Sequence, residues 1–118
     1  LDTGARPIFI TSDNKNQLWV VCRGFTGTAS VASQPPKILS WKQNETKPWY
    51  NQTIGDPNGG SHAVTNVTYD STSASIYYLF QGKVHRHHTL TQVQKEFSIH
   101  KLVYGLHFDS QTSHLLVC

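Results

Sequence analysis

The stretch AVTNVTYDSTSASIYYLF, Ala63 to Phe80, decides the fold. An apolar-alternating run ends at Tyr69, small polar residues fill Asp70 to Ser75, and a second apolar run covers Ile76 to Phe80. Two β-prone runs around turn-forming residues predict an antiparallel hairpin. The pattern recurs on both sides. Pro7 to Ile10 and Leu18 to Cys22 flank the polar turn Ser12 to Gln17, and Leu102 to Phe108 and His114 to Cys118 flank Asp109 to Thr112. Within Leu18 to Cys22, Leu18, Val20 and Cys22 fall on one face and Trp19 and Val21 on the other. The predicted class is mainly β, an antiparallel sheet or sandwich of hairpins, with one short helix as a minor element. That helix is read over Thr91 to Leu102, where Thr91 and Gln94 fit a capping box and Val93 and Phe97 lie four residues apart. The same residues also pass as a strand.

The three hairpins share detail. Asp13, Asp70 and Asp109 open their turns, an apolar strand follows at Leu18, Ile76 or Leu115, and Cys22, Phe80 and Cys118 fall at equivalent places. Arg23-Gly24 and Gln81-Gly82 close the first two units. Read as a repeat, this resembles the blade hairpins of extracellular β-propellers. Against it, the Asp positions are 57 and then 39 residues apart, and 118 residues fall short of a propeller ring. A single β-rich domain over residues 1–118 is the expected organisation.

Composition narrows the function classes. Charged residues make up only 14%, and the net charge of +3 is spread along the chain rather than gathered in one patch. A nucleic-acid partner is therefore weakly supported. No apolar run is long enough to span a membrane as a helix. Three N-glycosylation sequons, Asn44-Glu-Thr46, Asn51-Gln-Thr53 and Asn66-Val-Thr68, crowd into residues 44–68. Sugar is attached only in a secretory pathway and only at an exposed site, so they predict a secreted or extracellular glycoprotein. In that compartment Cys22 and Cys118 are expected to form a disulfide, worth about 4–5 kcal/mol on the chain-entropy model. Two buried thiols, or an intermolecular bond at Cys118, are the alternatives.

The middle of the chain, Phe25 to Gly60, is punctuated by Gly27, Pro35, Pro36, Pro48, Asp56-Pro57 and Asn58-Gly-Gly60, with a short strand at Ile38 to Trp41. Trp41, Trp49 and Tyr50 lie there. Tyr and Trp are frequent anchors of protein and carbohydrate contacts, so these three, with the basic Lys83 and Arg86, form the candidate binding set. The competing reading puts Trp41 in the core and packs Trp49 under the loop.

The seven histidines centre on Val84-His-Arg-His-His88. On a strand, His85 and His87 project from one face, a spacing that presents two imidazoles to one metal ion. His100, His107 or His114 would be the third ligand, with Glu96 and Asp109 as carboxylates. Cupin-type sites also begin His-x-His, but place a Glu four or five residues later; here no acidic residue follows His87 before Glu96. A solvated polar strand beside Lys83 and Arg86 is the plain alternative. Glu96, a histidine and Arg86 would also supply base, acid and phosphate clamp for RNA cleavage. No cofactor is implied.

Cys22, the terminal Cys118 and the hairpin from Val103 to Asp109 leading into Leu115 to Cys118 resemble the small secreted fungal ribonuclease scaffold and its non-catalytic effector relatives. The resemblance implies a compact β-sheet protein with an early cysteine bonded to the C-terminus, and either RNA cleavage or a host-directed role. The chain departs from that scaffold after Cys22, where Gly, Ser and Pro replace its long helix, and in lacking the ordered Glu, Arg, His series at matching spacing. Leu1-Asp-Thr-Gly-Ala5 copies the aspartic-protease loop without the strand, flap and second hairpin such an enzyme needs. The sequence thus predicts a secreted, glycosylated binding domain without catalysis, of receptor, adhesin or effector type, with a protein or glycan partner. A ribonuclease-like protein and a histidine-cluster metal-binding protein are the alternatives.

Overall fold

The computed structural model describes residues 6–55, 63–97 and 103–118. All its regular structure is β, in antiparallel sheets of four, four and two strands. Contacts group the chain into two compact units, residues 1–64 and 65–118.

In the first unit, β1 (Pro7–Ser12), β2 (Leu18–Cys22), β3 (Lys37–Trp41) and β4 (Tyr50–Thr53) form a meander in sequence order. Alternation along β2 and β3 is apolar on both faces, and both faces are buried. Val20 lies opposite Leu39 and Leu18 opposite Trp41, which with Cys22 make one core layer. Trp19, Val21, Ile38 and Ser40 point the other way and are fully buried.

In the second unit, β5 (Val64–Asp70, all but its first residue), β6 (Ser75–Phe80), β7 (Lys83–His88) and β8 (Gln94–Phe97) repeat that order, and β9 (Leu106–Asp109) pairs with β10 (His114–Val117) as a separate hairpin. Leu79, Val84 and Val103 form the core here, covered by Tyr77, Phe97, Leu106 and Leu115. Tyr77 and Phe108 stack with ring centroids 6.4 Å apart. Residues 91–93 make no helix, and Gln94–Phe97 is strand β8; the remainder of the expected helix, 98–102, lies outside the described residues, as do Leu1 to Ala5, His100 and Asp56 to Gly60. Thr91 still acts as a polar turn residue, its hydroxyl accepting the Val93 N–H at 3.3 Å.

The repetition that the uneven spacing argued against is present in the strand order. Each hairpin turn opens on an aspartate whose Oδ1 accepts the backbone N–H two residues on: Lys15 (2.8 Å), Thr72 (2.9 Å) and Gln111 (3.1 Å). Each turn ends on a residue with positive φ, Asn16, Ala74 or Ser113. That left-handed residue fixes the register, so Leu18, Ile76 and Leu115 correspond, and Cys118 matches Val21 and Leu79 rather than Cys22. The difference in spacing arises in the connections, where length varies without disturbing the ladder. β2 and β3 are joined by residues 23–36, whereas β6 and β7 are joined by Gln81-Gly82 alone. Those two residues have φ of 55° and 72°, the both-positive pattern of a type I′ hairpin turn.

The Cys22–Cys118 disulfide expected from the sequence is not formed. Cys22 is sealed in the layer with Val20, Leu39 and Trp41, and Cys118 is exposed. Packing as a small apolar side chain is the role of Cys22.

Candidate functional site

Two groups of side chains stand out, one in each unit. In the first, the last strand and the turn before it bring three aromatic rings together. Trp19 sits at the centre with no exposed surface, 5.9 Å from Trp49 and 5.7 Å from Tyr50, and these two lie 5.6 Å apart. Their separations and tilts are those of favourable aromatic pairs. The Trp49 indole donates to Ser40 Oγ at 3.0 Å, which fixes the ring over β3. One edge remains in solvent: Trp49 is 38% exposed, and the Lys42 ammonium lies 5.9 Å from its ring centroid. The result is a rigid, part-exposed aromatic ledge beside a cation, suited to stacking against a sugar ring or an apolar side chain.

Of the three expected aromatic contact residues, the structure brings Trp49 and Tyr50 together and sends Trp41 elsewhere. Trp41 is 3% exposed in the opposite core layer. The register explains the split, because Trp41 faces the Leu18–Val20–Cys22 side whereas Ser40 and Tyr50 share the Trp19 side. Lys42 was missed by reading the sequence. Its signal was there, a cation flanked by Trp41 and Trp49, but only the reversal between β3 and β4 carries it back over the second ring.

In the second unit, Lys83, His85 and His87 alternate along β7 on one face, as their spacing predicts. His85 stacks on Tyr78 at 5.2 Å with its ring nearly parallel, and lies opposite Glu96 on β8. Glu96 pairs with Lys83 at 2.9 Å, and this hydrogen bond holds its carboxyl below the usual range. Burial lowers the His85 pKa, against the opposing pull of Glu96. His87 has no exposed surface. Its Nε2 lies 2.7 Å from Gln92 Oε1, and its Nδ1 accepts from Gln94 Nε2 at 3.2 Å. Gln92 is itself oriented by donating its amide to the Thr89 carbonyl at 2.8 Å. The network therefore selects a neutral imidazole with its proton on Nε2, and burial lowers the His87 pKa accordingly.

These contacts bear on the expected chemistry. Both ring nitrogens of His87 are engaged by glutamine side chains, so a metal would have to displace one of them. Among the described residues no three His, Cys, Asp or Glu side chains converge as a metal-binding group. His107 and His114 lie on β9 and β10. For RNA cleavage, His85 and Glu96 share a face, but Arg86 alternates onto the other, opposite Tyr77 and Lys95. A phosphate clamp is thus not assembled with that acid–base pair.

The three sequon asparagines are all exposed. Asn44 occupies a turn between β3 and β4 with φ of 64°, Asn51 lies on the edge strand β4, and Asn66 on β5 donates to the Tyr104 carbonyl at 2.9 Å. No helix is long and apolar enough to cross a membrane among the described residues. A scan against protein-family models finds no match to this chain, and a search of curated proteins likewise finds none.

Proposed function

We propose that this chain is a glycosylated extracellular binding domain without catalysis, which contacts a protein or glycan through the ledge of Trp49, Tyr50 and Lys42. The observation that carries the reading is the part-exposed Trp49, held over β3 by Ser40 and backed by the buried Trp19. An aromatic ring already fixed in place loses little conformational freedom when a partner stacks on it. Sequon placement agrees. Tyr50 pairs with Ser40 while Asn51 pairs with Leu39, so ring and glycan site project from opposite faces of β4. A sugar at Asn51 would guard the free edge of β4 against pairing with other sheets and leave the ledge open.

The test has two parts. The protein secreted from a eukaryotic host is weighed intact before and after glycosidase treatment; mass lost to glycosidase, mapped to Asn44, Asn51 or Asn66, is the expected result. The same material is then applied to glycan arrays and to a panel of extracellular proteins, beside Trp49→Ala and Lys42→Ala. Binding that both substitutions weaken is expected. An unmodified chain would remove the extracellular half of the reading, and binding indifferent to Trp49 would remove the site.

A further inference from the structure

We propose that Arg86 and Lys95 form a binding site for a phosphate dianion, free or carried as a monoester, on the face of β7 and β8 away from Glu96. The two residues are direct partners across the antiparallel pair, so their side chains leave the sheet side by side. His88 follows on the same face two residues after Arg86. Its Nδ1 accepts the backbone N–H groups of Leu90 and Thr91, both at 3.3 Å, so in the neutral ring Nε2 carries the proton and is a further donor. The Lys95 ammonium lies 5.1 Å from the Phe97 ring centroid, which keeps it over that face.

Two cations placed directly opposite each other repel, and the unit supplies no acidic side chain to separate them. Residues 65–118 hold three such side chains, Asp70, Glu96 and Asp109. Asp70 and Asp109 are used in their own turns, and Glu96 pairs with Lys83 on the other face. Residues 98–102, outside the described residues, read Ser-Ile-His-Lys-Leu and add none. Among the described residues, the buried Arg86 Nε has no hydrogen-bond partner, although Arg86 as a whole is half-buried rather than sealed. A buried donor left unpaired is costly, and more so when its group is charged.

The donors select the ligand. A guanidinium takes an oxyanion through parallel N–H groups, Nε with one Nη, so an anion at its edge supplies the acceptor that Nε lacks. Two positive charges match the charge of about −1.5 to −2 that a phosphate monoester carries near neutral pH, where a carboxylate brings half as much. The site shares no residue with the ledge of Trp49, Tyr50 and Lys42, and it does not depend on what that ledge binds.

The test titrates the isotope-labelled full chain, at constant ionic strength, with inorganic phosphate, glucose 6-phosphate and acetate, and follows backbone amide signals. Saturable shifts centred on Arg86, His88 and Lys95 are expected with both phosphates and not with acetate. Tighter binding of glucose 6-phosphate would assign the site to an esterified phosphate, and equal or weaker binding to the free ion. Lys95→Ala should lower phosphate affinity by roughly tenfold. Arg86→Lys keeps the charge but loses the fork and should also weaken binding, with the Leu79 and Val84 signals in place to show an intact core. Lys95 is exposed, so the first variant tests the site whatever Arg86→Lys does to the sheet. Lys15→Ala, in the first unit, should leave the affinity unchanged. Shifts that are absent, that acetate reproduces, or that keep full affinity in Lys95→Ala would overturn the proposal.

Discussion

The indole N–H of Trp19 donates to Asp13 Oδ2 across 2.9 Å, while Asp13 Oδ1 accepts the backbone N–H groups of Lys15 and Gln17 at 2.8 and 2.9 Å. One carboxylate thus ties the first hairpin turn to the ring on which Trp49 and Tyr50 rest. Asp13→Ala removes three bonds to a charged acceptor, one of them from a buried donor. Equilibrium urea unfolding should show a loss of about 2–3 kcal/mol. Asp109→Ala, at the equivalent but solvated turn, should cost visibly less.

Trp41 and Trp49 should respond differently to truncation. Trp41→Ala empties a buried site against Val20, Cys22 and Leu39 and should cost about 3–5 kcal/mol. Trp49→Ala removes a part-exposed ring and should leave the domain folded, with its effect appearing in binding. Circular dichroism melts of the two variants check the contrast.

Two turn positions should move stability in opposite directions. Gly24 has φ of 77°, and a Cβ there would lie 2.6 Å from the Pro36 nitrogen and 2.8 Å from the Gln34 carbonyl oxygen. Gly24→Ala combines a disfavoured conformation with backbone contacts that cannot rotate away, so a loss above about 1 kcal/mol is expected. Gln81 also has positive φ, but it opens a solvated type I′ turn. Gln81→Asn places the residue that turn favours and should add about 0.5 kcal/mol, read from the same unfolding curves.

Acid should destabilise the second unit through His87 and His85. Burial lowers both pKa values in the folded chain; the neighbouring His88 lowers His87 further, while the Gln92 bond opposes it. The unfolded chain therefore binds protons first. Stability is complete above the ordinary histidine value near 6.5 and falls as the pH drops from there toward the lower folded values. Urea midpoints between pH 7.5 and 5 should decline, and His87→Gln should flatten the decline even where its own stability is lower.

The strands were legible because their alternation depends on near neighbours. β1, β2, β6 and the turns at Asp13, Asp70 and Asp109 follow from apolar runs, small polar residues and local side-chain capping, all within a few positions. The stretch around Gln94 was ambiguous for the same reason. Its short apolar pattern fits both periods, and pairing with Val84 to His87 is what makes it β8. The repeat was obscured by residues 23–36, a long connection in one unit that the next replaces with a two-residue turn.

By itself the sequence determined the class of the protein, a β-rich chain of aspartate-opened hairpins that carries three sequons. Only the tertiary structure decided which side chains share a surface. Trp41 and Trp49 look alike along the chain, yet the one-residue alternation of β3 puts the first in a core layer and the reversal into β4 puts the second beside Lys42. The histidines were decided in the same way, His87 by two glutamines supplied from the turn and the next strand, and Arg86 by the pleat that turns it away from Glu96. The two cysteines went to separate environments, one inside a sheet and one in solvent. Strand alternation is a local property, but the partners across a sheet are chosen by register, and register is set by turns and packing that span the whole unit.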